Sequence, residues 1–238
     1  MWNCVLCTTR NYGKAKFDRE SAPCRGCSST WRARAMALSI ITSLGYEPKC
    51  LGEIHPDWSR VGIGIGDDVE LSSRLSSKFF YSNTFFDAFP YLDIRKIPNI
   101  AYKAFEFVSC SDVLEHIDVD LNKAIRGVSK LLKPGGFAVL SVPIRNTAGQ
   151  MEFYPKLKTF SVLGETVKWV DQNGKRFIDT SPEFHGGRGQ NLAFREFVDE
   201  SFKEVILKNG FRSISQGWAS PKLGVPWNGN AGVYIARV

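Results

Sequence analysis

The stretch Ala104-Phe105-Glu106-Phe107-Val108-Ser109-Cys110-Ser111-Asp112-Val113-Leu114-Glu115-His116 decides the fold. Residues 104–110 are a short apolar run of strand length, and the polar residues from Ser111 onward end it. Leu121, Ile125, Val128 and Leu132 then recur at helical spacing and predict a helix over residues 119–132. Lys133-Pro134-Gly135-Gly136 stops that helix, because proline cannot continue it and glycine permits the reversal. A second apolar run, residues 137–142, ends at Pro143. Strand, helix and strand joined by short connections form the unit from which parallel sheets are built.

The same alternation extends outward on both sides. Residues 49–54 read as a first short strand, and Gly62-Ile63-Gly64-Ile65-Gly66 reads as a glycine-rich loop leading into a helix. Asp67 and Glu70 are spaced as a capping box, with Leu71, Leu75 and Phe79 following at period four. Residues 79–83 read as the second strand. Toward the C-terminus, Phe202, Val205 and Ile206 mark a last helix over residues 199–209, and residues 232–238 a closing strand. Ligands of such sheets bind beyond the carboxyl ends of the strands. That rule gathers residues 53–66, Asn83, Asp93 and residues 111–116 around one crevice.

Composition sets the outer limits. With 238 residues, 43% hydrophobic and 23% charged, the chain suits one α/β domain and a small appendage. No run approaches the ~18 apolar residues of a membrane span. Residues 1–10 lack the pattern of a secretory signal, so a cytoplasmic location with reduced thiols is expected. The net charge of +7 favours anionic partners, but the basic residues are scattered and unmixed with aromatics. A nucleic-acid surface is therefore not expected.

Four of the six cysteines fall in the first 27 residues, as Cys4-x2-Cys7 and Cys24-x2-Cys27. Each pair lets two thiolates converge on one ion, and the intervening residues allow the pairs to complete a tetrahedron around Zn²⁺. Four sulfur ligands leave no position for an activated water, so such a zinc is structural. Cys50 and Cys110 read as small buried side chains. After the second pair, Ser29 or Thr30 can cap a helix carrying Trp31, Ala35, Leu38 and Ile41, which Gly45 ends. The expected organisation is a zinc module over 1–30, a connecting helix over 31–45, and a main domain over 46–238.

Three segments resemble class I methyltransferases of the broad "type 11" group. Phe107-Val108 with Ser111-Asp112-Val113-Leu114-Glu115-His116-Ile117 resembles that group's strand-four signature. Leu131-Leu132-Lys133-Pro134-Gly135-Gly136-Phe137 with Ser141-Val142-Pro143 resembles its following segment, and Asn209-Gly210-Phe211 the approach to strand six. A narrower subgroup is similar in its paired Cys-x2-Cys, Tyr81-Ser82-Asn83-Thr84, Leu92-Asp93-Ile94 and Phe184-His185-Gly186-Gly187. The resemblance implies a Rossmann-like sheet of seven mostly parallel strands with helices on both faces, and S-adenosylmethionine as cofactor. It further implies a sugar or glycan acceptor, and partnership with glycosyltransferases of surface-polysaccharide assembly.

The resemblance also assigns roles. The usual first motif, an acid followed by three alternating glycines, is replaced by Glu53-Ile54-His55-Pro56-Asp57, and the glycines arrive at 62, 64 and 66. Either the lengthened loop still cradles methionine, with Glu53, Gly62 and Gly64 near it and His55 shaping it, or cofactor binding is impaired. Asn83 or Thr84 replaces the usual ribose-binding acid, and Asp93 matches the acid that meets the adenine amino group. Ser111 and Asp112 belong to the cofactor side, where Asp112 orients the substrate or the sulfonium. Methyl transfer to a hydroxyl needs a base to take the proton, and His116 and His185 are the candidates. His116 also reads as a helix-entry hydrogen bonder, and the residues around His185 as an ordinary loop.

Residues 144–193 break the alternation and read as a substrate-side insertion. They contain a hairpin over 167–178 with an Asn173-Gly174 turn. Tyr154, Trp169, Phe184 and Arg188 are its candidate pocket walls or members of a local apolar cluster. The leading reading is O-methylation of a glycan or nucleotide-linked sugar. The alternatives are an RNA methyltransferase gripping RNA through the zinc module, and an inactive adaptor that docks a partner through it.

Overall fold

The computed structural model describes residues 1–15, 19–20, 22–118, 120–145, 151–187, 189–226 and 232–238. The strand–helix–strand unit that opened the sequence reading lies at its centre. Six strands build the main sheet: β1 (Asp57–Ile65), β2 (Phe79–Thr84), β3 (Phe105–Ser111), β4 (Leu132–Ser141), β5 (Ser213–Gln216) and β6 (Val233–Arg237). Their order across the sheet is β5-β6-β4-β3-β1-β2. Strands β2, β1, β3 and β4 pair in parallel, while β6 runs antiparallel to both β4 and β5.

Alternation along the strands divides the core. On one face Phe79, Tyr81, Phe107, Phe137, Val139, Val233 and Ile235 pack under α1 (Trp31–Ser43) and α2 (Val69–Ser76). On the other, Ile63, Ile65, Val108, Cys110, Ala138, Leu140 and Tyr234 meet α3 (Leu121–Leu131) and α4 (Asp199–Leu207). Helices on both faces of a mostly parallel sheet give the Rossmann-like layering expected from the sequence. Thr30, rather than Ser29, caps α1 by accepting from the Ala33 N–H at 3.2 Å.

Three expectations are corrected. First, residues 49–54 are not a strand: Leu51–Glu53 form a single 3₁₀ turn, closed by Glu53 Oε2 accepting from the Cys50 N–H at 2.9 Å. Second, the first strand is the glycine-rich segment itself. A Cβ at Gly62 would overlap the Phe107 ring, and one at Gly64 the Tyr81 hydroxyl. Their absence lets Tyr81 and Phe107 stack beside the strand, 5.9 Å apart and 8° from parallel. Third, the sheet has six strands rather than seven among the described residues. The expected third strand is reduced to one parallel bridge, Phe85↔Tyr91, in a segment where Pro90 and Pro98 supply no N–H donor.

The N-terminal segment is welded to this body. Residues Trp2–Asn3 pair with Arg10–Asn11. Trp2, Val5 and Leu6 enter the same core as α1, and the Leu51 N–H donates to the Val5 carbonyl at 2.6 Å.

The insertion forms its own antiparallel sheet, Leu157–Leu163, Thr166–Asp171 and Arg176–Asp179, with the Gly174 turn at φ +84°. Tyr154 and Trp169 belong to the insertion's own apolar cluster. They pack with Leu157, Val167, Leu192 and Phe194, with Phe184 partly buried against them, and Trp169 stacks on Phe177 at 4.2 Å. Arg188 lies outside the described residues. No helix among the described residues is long and apolar enough to cross a membrane.

Candidate active site at the carboxyl ends of the strands

The parallel strands deliver three turns to one end of the sheet. Strand β1 is followed by Gly66, which adopts φ +69° and donates its N–H to the Thr84 carbonyl at 2.9 Å. A Cβ there would lie 2.6 Å from Val113 Cγ2, so the turn after β1 and the turn after β3 approach closely only because residue 66 is glycine. The Asn83 amide clamps this turn: its Oδ1 accepts from the Asp67 N–H at 3.1 Å and its Nδ2 donates to the Asp67 carbonyl at 2.8 Å. Thr84 Oγ1 donates to the Gly64 carbonyl at 2.6 Å. Asn83 and Thr84 therefore shape the β1 turn, and their side chains are spent on backbone. Helix α2 starts one residue later than expected, with Asp68 at the cap position.

Asp67 instead points inward, where its Oδ2 accepts from the Tyr81 hydroxyl and from Ser109 Oγ at 2.6 Å. Burial pushes its carboxyl up to about 7, against the opposing pull of these two hydrogen bonds.

After β3, Asp112 sits at φ +49°, held by its own N–H to the Ser141 carbonyl at 3.1 Å and by Ser141 Oγ donating to its Oδ1 at 2.8 Å. Two arginines from the N-terminal segment converge on it. Arg19 donates from Nη1 and Nη2 to the two carboxylate oxygens, both at 2.6 Å. Arg32, in the first turn of α1, places Nε 3.1 Å from Asp112 Oδ2 and Nη2 3.7 Å from Asp68 Oδ2, and bonds Ser111 Oγ through Nη1. Glu20 accepts from Arg32 Nε at 2.8 Å. Burial alone would raise the Asp112 carboxyl, but Arg19 and Arg32 outweigh it and bring the group down to about 2. The result is a charged centre spanning the ends of β1 and β3, roofed by the cysteine-bearing segment.

Beside it, the 3₁₀ turn Leu114–His116 carries Glu115 into the interior. Buried Arg195 fixes this turn from below, donating to the Leu114 and Ile117 carbonyls at 3.1 and 2.6 Å. Residues 183–187 and 189–195 pack beside it, with the Phe194 N–H on the Glu115 carbonyl at 2.8 Å and the His185 N–H on the Asn191 carbonyl at 3.1 Å. His116 and His185 thereby meet edge to face, 4.9 Å between ring centres. Both face one carboxylate oxygen: Glu115 Oε1 lies 3.8 Å from His116 Nε2 and 3.6 Å from His185 Nδ1. The Glu115 carboxylate holds His185 above its ordinary value, against the effect of burial.

The expected site residues thus divide. Ser111, Asp112, His116 and His185 gather at the carboxyl end of the sheet. Glu53 and His55 do not: they are exposed and precede β1, at the opposite end of that strand, because the strand begins at Asp57 and runs through the glycines. Gly62 and Gly64 face Phe107 and Tyr81 within the sheet, and Gly66 is the glycine at the crevice. Asp93 is paired with Arg95 Nε at 2.9 Å, which reaches on to Asp118 at 2.6 Å. Arg19, Arg32 and Glu115 were not among the expected site residues. Glu115 lay inside the quoted motif, adjacent to His116, whereas nothing local marks either arginine.

The four N-terminal cysteines converge. Cys4 and Cys27 Sγ are 3.7 Å apart, as are Cys7 and Cys24 Sγ, and all four sulfurs lie within 4.8 Å of one another. Thiolates ~2.3 Å from a tetrahedral ion stand ~3.8 Å apart, which these distances match. The two knuckles repeat one design. Thr8 and Ser28 each follow the second cysteine in the left-handed region, at φ +66° and +58°, and return their N–H to the Cys4 and Cys24 carbonyls at 2.9 Å. All four cysteines are free thiols, and the set is one that could hold a metal ion.

Residues 59–215 match the family described as a methyltransferase domain. No curated protein matches the chain. Among solved structures, a Burkholderia thailandensis 1,6-didemethyltoxoflavin N1-methyltransferase is similar at 14% identity, over 85% of this chain and 76% of its own, with a TM-score of 0.48. An amino pentose methyltransferase of Micromonospora echinaspora, CalS10, is similar at 14% identity over 95% and 99%, with a TM-score of 0.46. Streptomyces venezuelae DesVI follows at 10% identity over 85% and 91%, again with a TM-score of 0.46.

Proposed function

Because the chain belongs to the methyltransferase-domain family, we propose that it moves a methyl group from S-adenosylmethionine to a hydroxyl oxygen of a sugar or glycan acceptor. The observation that carries this reading is the charged centre at the ends of β1 and β3. Two arginines and one aspartate within hydrogen-bond reach of one another suit a ligand that bears both a carboxylate and an ammonium, as the methionine part of that cofactor does. Gly66 lets the turns after β1 and β3 close together at the same point.

When bound, S-adenosylmethionine supplies a methyl group activated by a positively charged sulfur. The chain's own residues have three tasks. Arg32 and Arg19 hold the carboxylate, and Ser111 and Asp112 hold the ammonium, fixing the donor end. The roof formed by the N-terminal segment excludes water from the crevice, which strengthens each of these charge interactions. The Glu115–His116–His185 cluster assists removal of the acceptor's hydroxyl proton. In-line transfer gains most from such positioning of donor and acceptor.

The four cysteines hold a structural zinc, and its task is to set the loop bearing Arg19 and the helix start bearing Arg32 over the crevice. The sugar or glycan assignment, with glycosyltransferases as partners and the cytoplasm as location, follows the subgroup resemblance of the sequence. Calorimetry with S-adenosylhomocysteine, followed by a methyl-transfer screen over nucleotide-linked sugars, tests the reading. Binding and transfer are expected; no binding at millimolar ligand would reject it in favour of a non-enzymatic adaptor.

A further inference from the structure

Glu115 is wholly buried, yet neither of its carboxylate oxygens has a hydrogen-bond partner among the described residues. An ionised carboxylate removed from water and left unpaired costs several kcal/mol, so an arrangement of this kind calls for a compensating positive group. What faces it is a pair of imidazole nitrogens, at 3.6 and 3.8 Å, beyond hydrogen-bond length.

The tautomer of His116 is fixed by its surroundings. Its Nδ1 lies 2.9 Å from the Leu192 carbonyl, which can only accept, so Nδ1 is the donor there and Nε2 is the nitrogen turned toward Glu115. A ring nitrogen donating to a backbone carbonyl while the other is left bare is the usual support of a metal-binding histidine. His185 turns Nδ1 toward the same oxygen, and the three ligand atoms lie within 4.8 Å of one another. Ligand atoms ~2.0–2.1 Å from a tetrahedral ion stand ~3.3 Å apart. The two gaps to Glu115 need to close by only a few tenths of an ångström, and His185 sits on a half-exposed loop that can supply that movement.

We propose that Glu115, His116 and His185 form a second metal site, separate from the cysteine cluster, that takes a divalent first-row transition-metal ion. Two imidazoles and one carboxylate leave coordination positions open, and nitrogen with oxygen ligands suits such ions over calcium or magnesium. The site directly follows the turn that carries Asp112. An ion there would take the acceptor's hydroxyl oxygen as a ligand and lower the pKa of that hydroxyl, so that its proton passes to solvent water while the oxygen bonds the methyl carbon and the methyl–sulfur bond breaks. This last role rests on the methyl-transfer reading, whereas the site itself does not.

Cobalt(II) titration of the full chain, with zinc already filling the cysteine cluster, tests the proposal by visible absorption. One further cobalt per chain is expected, with ligand-field bands and no sulfur-to-cobalt charge-transfer band. Glu115→Gln and His185→Ala are each expected to weaken its binding by at least tenfold. Because His185 lies on the surface loop, His185→Ala keeps the test open if Glu115→Gln disturbs folding, and thermal unfolding checks both. No cobalt beyond the cysteine site, or unchanged affinity in folded His185→Ala, would overturn the proposal. Cobalt bound by a protein that fails to bind S-adenosylhomocysteine upholds the metal site and removes the methyl-transfer reading alone.

Discussion

Arg19 and Asp112 are 93 positions apart in the chain and meet through two parallel hydrogen bonds of 2.6 Å. One comes from the loop between the cysteine pairs and the other from the turn after β3, so the pair ties the cysteine-bearing segment to the carboxyl end of the sheet. Arg32 stands beside it and bridges toward Asp68 at the start of α2. A donor with its own carboxylate has this basic pair as its natural counterpart.

Arg32→Ala is therefore expected to lower affinity for S-adenosylhomocysteine by about tenfold to a hundredfold. That corresponds to the loss of a charged hydrogen bond of about 1.5–3 kcal/mol in a partly desolvated site. Arg32→Lys, which keeps the charge but not the fork, should fall between. Calorimetry decides it, and equal affinity in Arg32→Ala and the wild type would remove the carboxylate-holding role.

Chelation of the cysteine cluster should act at a distance. Cys24 and Cys27 flank the turn that leads directly into α1, and Arg34, buried behind the cluster, donates to the Gly224 carbonyl at 3.0 Å. Loss of the ion, or Cys24→Ser, is expected to lower Tm by roughly 6–12 °C, as for a loss of about 3 kcal/mol in a chain of this size. It should also weaken S-adenosylhomocysteine binding, because Arg19 and Arg32 lose their mounting. Unaltered ligand affinity in metal-free protein would mean that the cluster serves stability alone.

The parts of this architecture readable from sequence are those where local and tertiary preferences agree. Residues 105–141 declare strand, helix and strand because an apolar run, a helical stripe and a Pro-Gly-Gly stop follow in order. The first strand was misplaced because glycine locally favours turns. Only the rings of Phe107 and Tyr81, brought in from neighbouring strands, explain why Gly62 and Gly64 are strand residues. The motif was enough to bring Asp112 and His116 to the carboxyl end of the sheet. Arg19 and Arg32 were not expected there, since their meaning depends on where the cysteine segment lands. Asn83 was expected to replace a ribose-binding acid, whereas its amide bonds main-chain atoms of the β1 turn that no spacing reveals.

Gly62 offers a direct check of that explanation. Gly62→Ala should destabilise by about 1–3 kcal/mol, the usual cost of overpacking, and lower Tm by roughly 2–12 °C. Combining it with Phe107→Leu, which removes the ring the new methyl would strike, should cost less than the sum of the two single changes. Strict additivity in thermal unfolding would show that the ring is not what excludes a side chain at residue 62.

Asp67 supplies a pH dependence whose direction follows from its burial. Its carboxyl is raised to about 7 in the folded chain, from an ordinary value of 3.8. Below that ordinary value both folded and unfolded chains carry the proton, and the group has no effect. Between the two values the folded chain retains a proton that the unfolded chain has released, so stability falls as pH rises. Above about 7 the loss is complete and constant. Asp67→Asn removes this slope while leaving an oxygen to accept from Tyr81 and Ser109. The Tm of the variant minus that of the wild type should therefore rise between pH 4 and pH 7.5, by an amount on the order of a few degrees. Measured across that window, a flat difference would place the Asp67 proton release at its ordinary pH and refute the buried protonated carboxyl; a falling one would show the carboxylate to be the form the fold prefers.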